Sequence, residues 1–322
     1  QKEAVLQYST LLEEEVEFWK FCQFSFFRQW KELREYANSK GILIIGDMPI
    51  YVAMDSADVW SHSRYFQLDE EHRPKKVAGV PPDAFSADGQ LWGNPLYDWE
   101  QMEKDDFHWW RERMKAASRL FDCVRIDHFI GICRYFSVPA GDTTSKNGSY
   151  HPGPGMRLIK AIQESAEGTE IIAEDLGVLV PEVEELLEES GYPGMKVLQF
   201  AFDGRKDNDH LPYMYRRNLV AYAGTHDNDT LVGWYESLSE EERKLPSEFL
   251  NIVAAMRLLY ASPANTVIFQ AQDVLGLPGE ARMNFPSTMG ENWRWRLLPG
   301  QLSDSLAGTL KSLASIFGRE RA

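Results

Sequence analysis

The chain has 322 residues and carries 34 Lys and Arg against 49 Asp and Glu, a formal net charge of −15. That surplus of negative charge argues against a phosphate-backbone grip, so no nucleic-acid partner is expected. No apolar run approaches a membrane span, the start (Gln1-Lys2-Glu3) has no signal-peptide stretch, and three cysteines (Cys22, Cys123, Cys133) do not make a disulfide scaffold. A soluble cytoplasmic protein with reduced thiols is expected, with no membrane partner.

In chain order, the first segment reads as a helix over roughly 11–38, crowded with Phe18, Trp19, Phe21, Phe24, Phe26, Phe27 and Trp30. So many rings predict packing on two sides. Apolar, Val/Ile-rich runs follow at 42–49, 123–129, 170–175, 196–202, 219–224 and 266–272. None alternates cleanly, which suits parallel strands covered on both faces. Helices separate them. One opens at Pro181 with Glu182, Glu184 and Glu185 near its positive end and stops at Gly191. One spans 247–260, and one follows Ser303 with Leu306, Leu310, Leu313 and Phe317 at helical spacing. Two long loops are expected at 53–99 and 138–155, and no domain linker or repeat interrupts the chain.

Alternating strands and helices define a parallel α/β fold, either an open doubly wound sheet or a (β/α)8 barrel. No G-x-G-x-x-G turn follows a strand, and polar clusters end one strand after another, which favours the barrel. Only six strands are countable, so a barrel of this chain lacks its first two βα units.

The strand ends carry the chemistry. Val124–Phe129 delivers Arg125 and Asp127, Ile172–Gly177 delivers Glu174, and Gly224–Thr230 delivers His226 and Asp227. Each has a plainer reading: the aspartates could cap helices, and Arg125 with Asp127 could be a simple ion pair. Three acidic clusters aimed at one rim suit glycoside chemistry, in which one carboxylate attacks, a second donates and recovers a proton, and a third stabilises the cationic centre. Arg125 would lower the pKa of the attacking group. A catalytic metal is the competing reading. No dense ligand loop supports one, and no cofactor is expected. Ten Trp, 17 Phe and 13 Tyr allow some rings to serve as sugar platforms rather than core.

Taken together, VRIDHF (124–129), AEDLG (173–177) and GTHDNDT (224–230) resemble the amylomaltases. These are the 4-α-glucanotransferases or disproportionating enzymes, glycoside hydrolase family 77, within the α-amylase superfamily of retaining enzymes. GDMPIYV (46–52), GVPPDAFSADGQLWGNPLYDW (79–99) and RMNFPSTMGENWRWRL (282–297) extend the resemblance across most of the chain. It implies an α-amylase-type barrel, here incomplete, with residues 1–322 as one catalytic barrel domain. Its implied substrates are malto-oligosaccharides and α-1,4-glucans. By resemblance Asp127 is the nucleophile, Glu174 the general acid/base and Asp227 the transition-state stabiliser. Arg125 holds the nucleophile, His226 contacts the donor sugar, and Asp47 has a supporting role. Phe85 and Trp92 overhang the acceptor side, and Asn284 contacts sugar. Family members are longer at the N-terminus by two βα units of about 30 residues or more each, with their embellishments. An N-terminal fragment completing the barrel is therefore an expected partner. A hydrolase of the same superfamily and a non-catalytic glucan-binding subunit are the alternatives.

Overall fold

The computed structural model describes residues 2–82, 86–177, 180–244, 246, 252–286, 288 and 290–320. In chain order the elements are α1 (Lys2–Leu11), α2 (Glu13–Ser39), β1 (Ile45–Met48), α3 (Ala57–Ser61), β2 (Lys76–Val80), β3 (Gln90–Pro95), α4 (Trp99–Glu103), α5 (His108–Leu120), β4 (Cys123–Ile126), α6 (Ile130–Cys133), β5 (Arg134–Pro139) and β6 (Ser149–Pro152). They continue with α7 (Met156–Ser165), β7 (Glu170–Ala173), α8 (Pro181–Ser190), β8 (Gly194–Val197), β9 (Leu219–Tyr222), α9 (Leu231–Ser237), α10 (Ile252–Ala261), β10 (Thr266–Ile268), α11 (Ala271–Val274) and α12 (Asp304–Ile316).

Six of these strands are parallel, in two sheets ordered β1-β4-β7 and β10-β9-β8. The edges of β7 and β8 meet: the Ala173 N–H donates to the Pro193 carbonyl at 2.9 Å, and the Met195 N–H donates to Asp175 Oδ1 at 2.7 Å. Gly194 permits the second contact, because a Cβ there would lie 2.8 Å from Asp175 Oδ2. Gly46 is demanded in the same way, since a Cβ would lie 2.1 Å from the Phe121 ring. The continuous apolar runs are explained by two-sided burial. Val124, Ile126 and Ala173 pack with Trp110, Met114, Leu158 and Ile162 of α5 and α7, whereas Cys123, Ile172, Met195 and Val220 form a second cluster.

Four segments, 196–202, 266–272, 53–99 and 138–155, depart from the sequence expectations. The run at 196–202 starts earlier, at Gly194, and leaves the strand at Leu198 for a 3-10 turn that ends at Ala201. The run at 266–272 yields β10 and then turns into α11. The segments read as loops, 53–99 and 138–155, contribute to a four-stranded antiparallel sheet ordered β3-β2-β5-β6. The helix read over 247–260 is seen as α10 from Ile252; residues 247–251 lie outside the described residues. Helix ends follow the sequence signals: Pro181 opens α8, Gly191 closes it at φ 72°, and Ser303 Oγ accepts the Leu306 N–H at 3.2 Å at the start of α12.

The aromatic first helix does not pack on two sides. No residue of α2 is buried, and Phe18, Trp19, Phe21 and Phe24 are more than half exposed. The helix docks by its C-terminal half alone, where Trp30 Nε1 donates to the Leu120 carbonyl at 2.8 Å and Arg34 reaches Asp122 at 2.8 Å. Burial pushes the Asp122 carboxyl up. The Ile44 N–H, Asn38 and Arg34 outweigh that and hold it below its ordinary value. A depressed carboxylate contributes stability that is present above its unfolded pKa and is lost as pH falls through its folded pKa. Arg34→Ala is therefore expected to cost about 1–3 kcal/mol at neutral pH, read by urea denaturation. The deficit should shrink in acid, and an unchanged midpoint at neutral pH would show that Arg34 adds nothing to the docking of α2. No helix among the described residues is long and apolar enough to cross a membrane.

Candidate active site

Parallel pairing brings the charged strand ends together. Asp47 of β1 is the register partner of Arg125 on β4, and Arg125 is the partner of Ile172 on β7. Asp47 and Arg125 are thus side by side, and Arg125 Nη1 donates to Asp47 Oδ1 and Oδ2 at 2.6 and 2.7 Å. The same nitrogen lies 3.0 Å from Asp127 Oδ1. Burial alone would lower the Arg125 pKa, but Asp47, Asp127 and Glu174 outweigh it, so the guanidinium stays charged.

Asp127 begins where β4 ends, its N–H donating to the Met48 carbonyl at 3.0 Å. Its side chain is 39% exposed. Removal from water pushes its carboxyl above the ordinary value; Arg125 opposes this, while Asp47 and Asp227 reinforce it. The arginine thus lowers the Asp127 pKa as the sequence suggested, but does not win, because burial outweighs it and Asp47 and Asp227 add to the burial.

Glu174 is buried and its pKa is pushed up to about 8, by burial first and by the neighbouring Asp127 second. Arg125 and two backbone donors oppose this: the His128 N–H donates to Oε2 at 2.7 Å and the Leu176 N–H to Oε1 at 2.6 Å. The adjacent Asp175 turns away to accept the Met195 N–H across β7 and β8. Of two consecutive acids, one sits against Asp127 and the turn after β4 and the other joins strands.

The loop after β9 is held by its own side chains. The Thr225 N–H and hydroxyl both donate to Asn228 Oδ1 at 2.9 Å, and Thr230 caps α9 by accepting the Gly233 N–H at 3.0 Å. Asp273 accepts the Leu231 N–H at 2.7 Å. His226 Nε2 then lies 3.9 Å from Asp47 Oδ2 and 3.6 Å from Asp227 Oδ2. Asn284 Nδ2 donates to Asp227 Oδ1 at 2.6 Å, and Arg282 donates to the Asp227 carbonyl at 2.5 Å.

Trp92 on β3 lies edge-on to the His128 ring at 4.7 Å and 6.1 Å from the Tyr51 ring. Eight of the nine candidates are thus joined by direct contacts into one cluster or placed at its border, and Phe85 lies outside the described residues. A cavity of about 370 Å³ opens beside Asp47, Arg125, Tyr222, His226 and Trp293. A larger one, about 860 Å³, lies at the other strand ends against Ile45, Cys123, Glu170 and Thr266, away from the carboxylates. Sequence reasoning missed His128 and Arg282 as site-builders, and Trp293, whose ring lies 5.1 Å from His226. All three fall inside motifs noted for other residues.

Comparisons with known proteins bear on the fold and the family. The fold is that of amylomaltases: an amylomaltase from Corynebacterium glutamicum superposes with a TM-score of 0.79 at 18% identity, over 94% of this chain and 50% of that one. An amylomaltase from Streptococcus agalactiae, solved in complex with acarbose, superposes with a TM-score of 0.94 at 40% identity, over 100% of this chain and 66% of that one. A family profile described as 4-alpha-glucanotransferase matches residues 1–302. The 4-alpha-glucanotransferases of Clostridium butyricum and Thermus thermophilus are 48% and 46% identical over 98% of this chain, which covers 67% and 66% of their lengths. The chain belongs to the 4-alpha-glucanotransferase family, and it spans about two thirds of the length of these relatives.

Proposed function

We propose that the chain transfers α-1,4-glucan segments between malto-oligosaccharides by a retaining double displacement, with Asp127 as nucleophile, Glu174 as acid/base and Asp227 as stabiliser. The observation that carries this reading is the contrast between two neighbouring carboxyls. Glu174 is buried and keeps its proton up to about pH 8, whereas Asp127 opens to the cleft against a fixed guanidinium. Both carboxyls are raised, but the buried Glu174 sits beside the charge of Asp127 while Asp127 has Arg125 beside it, and that difference in surroundings divides acid from nucleophile.

In the first step an Asp127 oxygen bonds to the anomeric carbon as the glycosidic C–O bond breaks, and the Glu174 proton passes to the departing 4-oxygen. In the second, Glu174 takes the proton of an incoming sugar 4-hydroxyl. That oxygen then bonds to the anomeric carbon while the bond to Asp127 breaks. Asp227, oriented by Asn284, faces the positive charge that develops between these steps. Asp47 shares Arg125 with the nucleophile and holds it in place, while His226, Trp92 and Phe85 contact sugar. Exclusion of water by an acceptor seated beside Trp92 and Phe85 favours transfer over hydrolysis.

The finer architecture belongs to the same proposal. The six parallel strands are an arc of a (β/α)8 barrel. The parallel pairing within both three-stranded sheets and the likeness to amylomaltases support it.

Incubation with maltotriose tests the reaction. Glucose together with longer oligosaccharides supports transfer, and shorter sugars alone make the chain a hydrolase. The first step needs Glu174 protonated and Asp127 ionised. The rate should therefore fall on the alkaline side with a midpoint near about 8 and on the acid side above the ordinary carboxylate value. An alkaline limb that survives unchanged in Glu174→Gln would remove Glu174 from that role.

A further inference from the structure

His128 lies between the two carboxyls in the chain and in space. Its backbone is left-handed, φ 51°, a region that non-glycine residues occupy only when their surroundings hold them there. The conformation aims its N–H at Glu174 Oε2 at 2.7 Å. The turn is closed on both sides: the His128 carbonyl accepts the Gly131 N–H at 2.9 Å, and the Phe129 N–H donates to the Glu174 carbonyl at 2.9 Å. The imidazole is gripped as well. Trp92 meets it edge-on at 4.7 Å with the planes at 86°. On the other side there is little slack, since a Cβ added at Gly131 would lie 3.1 Å from His128 Cδ2 and 2.7 Å from Ile50 Cδ1.

We propose that His128 is a positioning residue through which the β2–β3 hairpin controls the proton on Glu174. Trp92 holds the ring, the ring holds the left-handed turn, and the turn holds its N–H on Oε2. This deepens the proposed function and rests on Glu174 being the acid/base. The groups facing the Glu174 carboxyl are Asp127 and Arg125 from β4 and its end, and the N–H groups of His128 and Leu176. The imidazole does not add a charge, because burial lowers its pKa to about 4. Its contribution is the direction of one N–H, which stabilises the ionised carboxylate; a ring displaced when the hairpin engages sugar would raise the hold of Glu174 on its proton.

The test reads Glu174 directly. The chain is labelled with carbon-13 at its glutamate carboxyls, the Glu174 signal is assigned by its loss in Glu174→Gln, and the signal is titrated in the parent, in His128→Gly and in Trp92→Leu. Glycine tolerates the left-handed backbone but is not confined to it, so the first variant removes the ring's hold and frees the turn to leave Oε2; the second leaves the turn's sequence untouched. Both should raise the Glu174 midpoint by about one pH unit, the effect of losing a charge-assisted donor. His128→Asn, which also tolerates this backbone, carries the same expectation if His128→Gly does not fold. A midpoint that stays at the parent value in the folded His128 variant overturns the proposal, and one that stays in Trp92→Leu overturns the hairpin's part in it. Maltotriose transfer is measured alongside. A parent without transfer but with the expected shifts sinks the enzymatic reading while the positioning role stands. Transfer with unmoved midpoints does the reverse.

Discussion

Asp127→Asn is expected to lower turnover of maltotriose about 10⁴-fold or more, the loss seen when a covalent nucleophile is removed from a site that works as a unit. Asparagine is nearly isosteric, so the 3.0 Å approach of Arg125 and the N–H bond to the Met48 carbonyl are kept, and the fold should be undisturbed. Glucan binding should persist, since Trp92, His226 and Asn284 are untouched. The variant also has an electrostatic signature. Asp127 is the second-largest cause holding Glu174 up, after burial. Neutralising it should bring the Glu174 midpoint down from about 8, which the carboxyl titration reads without any turnover. Residual transfer within tenfold of the parent would remove Asp127 from the nucleophile's role. A glucan-binding subunit without catalysis would instead have no turnover to lose.

The strands that carry the site were the legible part of the sequence, and for a physical reason. β4, β7 and β9 are buried on both faces, so each reads as an apolar run; the site residue follows β4 and β7 at once, and after β9 a short loop carries His226 and Asp227. The reading failed where a polar residue is buried for local reasons. Gln199 looks like part of a strand, yet its side chain is spent on the Asp229 carbonyl at 2.8 Å, and the chain turns there. β2, β3 and β6 were read as loop because their glycines, prolines and half-exposed faces carry no apolar period. The site showed the same division. Asp127, Glu174 and Asp227 announce themselves by position. That Arg282 would reach the Asp227 carbonyl 55 residues away, or that Asp175 rather than Glu174 would join β7 to β8, depends on backbone placement that composition does not encode. Arg125 illustrates the limit for energetics: the sequence places a guanidinium beside Asp127, but not the burial that, with Asp47 and Asp227, outweighs it and raises that carboxyl.

Glu174→Gln separates proton transfer from everything else the site does. With maltotriose, whose leaving 4-oxygen needs a proton, the loss should be about 10²- to 10⁴-fold. With α-maltosyl fluoride as donor, fluoride departs without protonation, so the first step should approach the parent rate. The glycosyl-enzyme on Asp127 should then accumulate, because no base remains to take the acceptor's proton. Mass spectrometry of the trapped chain reads that directly. The alkaline limb near about 8 should vanish, since the group that titrates there is gone. The amide also carries a structural cost. Both Glu174 oxygens accept backbone N–H groups, at 2.6 and 2.7 Å, and whichever way the Gln side chain turns, its NH₂ meets one of those donors. That mismatch is expected to lower the unfolding free energy by about 1–3 kcal/mol, read by urea denaturation. Equal losses with both donors would show that Glu174 positions sugar or supports the strand ends rather than moving a proton.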